Sequence, residues 1–85
     1  MEYHQIIANR ITGLCRERGF SINRLASMSN LNQSTIDNIV HGVSKNPRIK
    51  TLHKIALTFN MTPAEFLDFP EFNAVSFDDE TPDDE

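Results

Sequence analysis

Between residues 33 and 41 the chain reads Gln33-Ser34-Thr35-Ile36-Asp37-Asn38-Ile39-Val40-His41, a stretch rich in amides and hydroxyls. A side-chain amide presents a donor and an acceptor side by side, the pattern that pairs with the edge of adenine, and a hydroxyl can bond either a base or a phosphate. A few residues on, Lys45, Arg48 and Lys50 add cations of the kind that hold an anionic backbone. The chemistry on offer is recognition. Nothing pairs a nucleophile with a base, sets two carboxylates in a dyad or cradles phosphate in a glycine-rich loop, and the three glycines are scattered singly, so no catalysis is expected. His4, His41 and His53 show no ligand spacing or accompanying carboxylate cluster, so neither metal nor cofactor is expected. A single cysteine, Cys15, cannot form an intrachain disulfide and reads as a core or boundary filler.

Such side chains act only if a scaffold aims them, and 85 residues allow one small domain. A hydrophobic fraction of 39% with six Phe supplies a modest core, which no disulfide or cysteine-based zinc site assists. No run approaches the roughly 18 to 20 apolar residues of a membrane span, and the start lacks a signal-peptide layout, so the cytoplasm is the expected compartment. The net charge of −4 argues against a nucleic-acid partner until it is divided along the chain. Residues 1–70 hold all eight basic side chains against five acids, a charge of +3, whereas residues 71–85 carry seven acids and no base. Opposite signs in two parts of one chain mark a polyanion-binding body with an acidic extension.

The body reads as five short helices. Ile7, Ile11, Leu14 and Cys15 form an amphipathic stripe that predicts a first helix from about His4 to Arg18, closed by Gly19. Ser21 is an N-cap for a helix over residues 22–28, with Leu25 and Ala26 inward. After a break at Ser29-Asn30, Asn32 can cap a third helix whose inward residues are Ile36, Ile39 and Val40, and Gly42 closes it. Asn46-Pro47 is an extended break. A fourth helix follows with the stripe Ile49, Leu52, Ile55, Ala56 and Phe59, ended by Asn60. Thr62-Pro63-Ala64-Glu65 is a capping box with proline at the first helical position, opening a fifth helix to about Asp68. Pro70 ends the regular region in this reading. The acidic residues 71–85 are expected to form a free, self-repelling tail, with Phe69, Phe72 and Phe77 as alternative anchors for a second subunit or a protein partner.

Two short helices joined by a tight turn, the second apolar inside and polar outside, make the geometry that pushes a helix into a DNA major groove. Here Leu25-Ala26, Leu31, Ile36 and Ile39 supply the inside, leaving Gln33, Ser34, Thr35, Asn38 and His41 outward. At this point the chain resembles the lambda Cro and phage-repressor type of helix-turn-helix domain. The matching text is Leu25-Ala26, Gln33-Ser34-Thr35-Ile36, Ile39, Gly42, Asn46-Pro47, Thr51-Leu52-x-x-Ile55-Ala56 and Met61-Thr62-x-x-Glu65-Phe66-Leu67, spread over residues 6–68.

The resemblance implies an all-α, five-helix lambda-repressor-like DNA-binding domain over residues 1–70 and a homodimer on double-stranded DNA. By position, Gln33, Ser34, Thr35 and Asn38 match family residues that touch bases or adjacent phosphates, with Asn32 and His41 at the ends of the same helix. Ser21 matches a phosphate-clamping helix start, and Lys45, Asn46 and Arg48 match a loop lying along the DNA backbone. Two departures stand out. Ile22 replaces a common phosphate-clamping Gln, and Ser29-Asn30 replace a usual apolar residue and Gly, which predicts a looser turn. With no Arg or Lys in the third helix, an A·T-leaning site is expected. The rival reading keeps the fold but uses its surface as an antitoxin-like or anti-repressor protein-interaction module.

Overall fold

The computed structural model describes residues 2–77, and over them it is helical: α1 (Tyr3–Arg18), α2 (Ile22–Ser29), α3 (Gln33–Val40), α4 (Ile49–Thr58), α5 (Pro63–Leu67) and α6 (Pro70–Asn73). The expectations for residues 78–85 lie outside the described residues. Five of the six helices fall where side-chain periodicity puts them. The sixth does not: Pro70 opens a helix instead of ending the regular region, because extended Phe69 precedes it and a proline lacking an N–H loses nothing at a first helical position.

Local chemistry sets the boundaries. Gly19 adopts a left-handed φ of 73°, and the Phe20 N–H turns back to the Cys15 carbonyl at 2.8 Å, closing α1. Ser21 Oγ accepts from the Arg24 N–H at 3.0 Å, starting α2. Asn60, at φ 62°, lets the Met61 N–H reach the Ala56 carbonyl at 2.9 Å after α4. At α5 the expected capping box is complete, with Glu65 N–H donating to Thr62 Oγ1 at 3.1 Å and Thr62 N–H to Glu65 Oε1 at 2.8 Å.

The turn between α2 and α3 is closed, contrary to the looser one expected. Asn30 takes the left-handed conformation usually left to glycine, at φ 59°, and the Leu31 N–H reaches the Ala26 carbonyl at 3.1 Å. Ser29 is buried in place of an apolar residue, its hydroxyl donating to the Leu25 carbonyl at 2.7 Å. A buried hydroxyl so paired costs little, and the small side chain lets the helices approach.

The core is one cluster: Ile7, Ile11 and Leu14 of α1, Leu25 and Ala26 of α2, Ile36 and Ile39 of α3, Ile55 and Ala56 of α4, with Phe59 and Phe66. Cys15 lies in it as a filler, and burial raises its thiol above the ordinary value, keeping it protonated. Ile49 does not. It is 81% exposed, because it is the first residue of α4 and projects past the end of the packed stripe that begins at Leu52. Arginines close the ends of two helices. Arg10 donates from Nε to the Phe66 carbonyl at 2.9 Å and from Nη2 to the Glu65 carbonyl at 3.1 Å, while Arg18 Nη1 donates to the Phe59 carbonyl at 2.6 Å.

The Arg10 guanidinium also sits 4.7 Å from the centre of the Phe69 ring. Phe69 is therefore buried as part of the fold and is not available to anchor a partner. Phe72 is half-buried, with ring centroids 5.6 Å from Phe69 and 5.9 Å from Tyr3, and Phe77 rests on Tyr3 at 5.9 Å while remaining 56% exposed.

Phe66→Ala is expected to cost roughly 3–5 kcal/mol, read from the urea midpoint, since its ring is fully enclosed. The Glu65 carboxyl is held below its ordinary value, first by the Thr62 N–H and then by the Thr62 hydroxyl. A lowered folded value stabilises above the unfolded carboxylate range and is lost as pH falls through it. Glu65→Gln should thus lower the melting temperature near pH 7, and the difference from wild type should close as pH falls below the ordinary glutamate value of about 4.3 and through the lower folded one.

Candidate nucleic-acid interface

Helix α3 has one apolar flank. Ile36 and Ile39 are buried and Val40 is half-buried, which turns Ser34, Asn38 and His41, at i, i+4 and i+7, to the other side with Gln33 beside them. These four are exposed; Thr35 and Asp37 are half-buried at the margins. Gln33 Nε2 donates to Asp37 Oδ1 at 3.0 Å, one turn along, and His41 Nδ1 donates to the Asp37 backbone carbonyl at 2.8 Å. Asn32 occupies the N-cap position with extended backbone, but its side chain makes no capping bond.

The loop after α3 is tied to that helix. The N–H groups of Val43 and Ser44 both donate to the Asn38 carbonyl at 2.9 Å, so the chain turns away at Gly42, whose φ is 77°. Lys45, Asn46 and Arg48 follow, all exposed, with Arg48 extended immediately before α4. Lys45 Nζ donates to His4 Nε2 at 3.3 Å, and a lysine can only donate, so the His4 hydrogen is on Nδ1, which faces Glu2 Oε2 at 3.5 Å. The His4 side chain is only 12% exposed, packed beneath Gly42. Of the residues expected at an interface, the structure thus joins Gln33, Asn38, His41 and Lys45 through bonded neighbours. Ser21 stands at the far end of α2 along the chain, its hydroxyl already accepting from an amide of the first turn.

The sequence and fold that carry this helix face and loop have counterparts among known proteins. The Cro/C1-type helix-turn-helix DNA-binding domain matches residues 10–71. The chain belongs to that family. Among solved structures, prophage Lp1 protein 11 is 33% identical with a TM-score of 0.78, over 88% of this chain and 100% of its own. The master regulator for biofilm formation SinR, solved in complex with DNA, is 27% identical with a TM-score of 0.66, over 73% of this chain and 98% of its own. A SinR protein/SinI protein complex, at 24% identity, TM-score 0.69, 82% of this chain and 67% of its own, shares the fold. No curated protein matches the sequence significantly. A DNA-binding transcriptional regulator is the class to which the Cro/C1-type domain assigns the chain. Among the described residues, no helix is long and apolar enough to cross a membrane.

Two residues that shape the surroundings of this Cro/C1-type helix, Asp37 and His4, are not among those expected from sequence. Asp37 was legible, since Gln and Asp four apart on a helix are a known bonding pair. His4 was not: it meets Gly42 and Lys45 across about forty residues of chain, and no local pattern announces that. A Cβ at Gly42 would lie 3.0 Å from His4 Cδ2 and 3.2 Å from Nε2, in a left-handed backbone. Gly42→Ala should therefore destabilise by about 1–2 kcal/mol from the backbone alone, and by more in total because the His4 ring must shift. Thermal melts of the single and double variants separate the two effects, with Gly42→Ala costing less in a His4→Ala background than in wild type.

Proposed function

We propose that this Cro/C1-type protein is a sequence-specific transcriptional repressor of the cytoplasm, acting as a homodimer whose α3 helices enter successive major grooves of double-stranded DNA about one helical turn apart. The supporting observation is the exposed polar side of α3, held outward by Ile36 and Ile39 and continued by the Lys45–Arg48 loop. In this reading Gln33 and Asn38 read base edges, with the amides suited to adenine. Asn32, Ser34, Thr35 and His41 bond bases or neighbouring phosphates at the helix margins. Ser21, at the amide-rich start of α2, and Lys45, Asn46 and Arg48 hold the backbone, fixing register more than sequence. Residues 1–70 are the DNA-binding unit and residues 71–85 its acidic extension.

The test is selection of bound duplexes from a random pool, followed by affinity measurements across salt. Gln33→Ala and Asn38→Ala should each change the selected motif and cost roughly 1–3 kcal/mol on the wild-type site. Lys45→Ala and Arg48→Ala should keep the motif and reduce the slope of log affinity against log salt by about one each. A protein-interaction module would show neither a selected motif nor a salt slope shared with these lysine and arginine changes.

A further inference from the structure

We infer that Asp37 is a positioning and specificity-determining residue of α3, which sets the orientation of Gln33 toward adenine and disfavours guanine at the same base position. The inference rests on the reading of α3 as the base-contacting helix, and it assigns a role to the one acidic side chain on that helix.

A carboxylate accepts hydrogen bonds and donates none, so the Gln33 amide must turn its nitrogen, not its oxygen, to Asp37 Oδ1 across the 3.0 Å contact. One Nε2 hydrogen is then engaged. The other hydrogen and Oε1 remain, side by side and in a defined order. That pair complements adenine, whose N7 accepts and whose N6 amino group donates. With the amide free to rotate end for end, the same side chain would present either order with similar ease.

Guanine offers two acceptors at this edge, N7 and O6. Gln33 could satisfy both only by turning its amide nitrogen wholly toward the base, which breaks the bond to Asp37. The carboxylate would then face guanine's acceptors, an electrostatic mismatch that an adenine amino group does not create. Asp37 also carries its helical neighbour on the other side, because its backbone carbonyl accepts from His41 Nδ1 at 2.8 Å and so places the hydrogen of that ring on Nδ1. A carboxylate on a helix meant for a polyanion weakens attraction to phosphate in general. Its position is explained if the loss in general attraction is exchanged for discrimination between bases.

The experiment compares Asp37→Ala, which removes acceptor and charge, with Asp37→Asn, which removes the charge and keeps an oxygen able to accept from Gln33. Binding to random duplex at low salt should rise in both. At the base position that Gln33→Ala perturbs, the preference for adenine over guanine should fall about five-fold or more in Asp37→Ala, the low end of what one bidentate pair discriminates. Asp37→Asn should retain most of that preference. A full preference in Asp37→Ala, or an equal loss in both variants, would overturn the assignment. Side-chain amide signals of Gln33 in the free protein provide a reading without DNA: Asp37→Ala should narrow the separation of its two proton shifts, and an unchanged separation would also overturn it. If the wild type selects no motif while that separation responds to Asp37→Ala, the failure lies with the DNA-reading function and the specificity role goes with it; a selected motif indifferent to Asp37 leaves the function standing and removes only this inference.

Discussion

The exposed face of α3 depends on the burial of two isoleucines. An eight-residue helix is too short to persist alone in water, so α3 exists because Ile36 and Ile39 complete a core whose other members come from α1, α2 and α4. Their burial also fixes the phase of the helix. A turn of about 100° about its axis, one residue's worth, would carry Asn38 or Asp37 inward, where an amide or carboxylate without partners costs several kcal/mol. The polar surface is thus a consequence of where the apolar residues must go. The closed turn before α3 adds the second constraint, since Ser29 and Asn30 set where α3 starts relative to α2.

Charge is distributed less simply than the count of basic residues implies. Arg10 and Arg18 satisfy carbonyls at the ends of α5 and α4, and the Arg24 guanidinium lies 5.5 Å from the centre of the Phe20 ring. These cations stabilise the fold and are held near fixed partners. The loop after α3 keeps Lys45 and Arg48 exposed, and Lys50 follows at the start of α4. Three of the eight basic side chains, Lys45, Arg48 and Lys50, thus stand exposed along one short segment that follows α3.

What could be read from the sequence was local. Ser21, Gly19, Asn60 and the Thr62–Glu65 pair act through bonds spanning a few residues, and each does in the structure what its neighbours predict. The inward residues of α1 to α3 followed from periodicity for the same reason. Structure and local pattern part where the outcome depends on distant packing. Ile49 has the right phase for a buried stripe but lies beyond its end, and Phe69 looks unclaimed until Arg10, nearly sixty residues away, covers its ring. At Ser29-Asn30 the difference is of another kind: polar residues there predict a looser turn, whereas a hydroxyl returned to its own helix's carbonyl packs as a small group. The polar side of α3 is legible as a face, but the bonds of Gln33 to the Asp37 carboxylate and of His41 to the Asp37 backbone carbonyl depend on side-chain rotamers that no local pattern announces.

The first turn of α1 connects parts that look unrelated along the chain. Tyr3 meets Phe72 and Phe77, while His4, the next residue, packs under Gly42 and bonds Lys45. Adjacent residues on a helix point about 100° apart, so one turn can hold α6 on one side and the cationic loop on the other. Lys45 and Asn46 consequently share a surface recess with Val75, Ser76 and Phe77. Phe72 and Phe77, which composition assigns to an acidic extension, instead pack on the first turn of α1 through Tyr3. The first turn of α1 thus takes part in placing Lys45, through the hydrogen bond from its ammonium to the His4 ring and through the packing of that ring under Gly42.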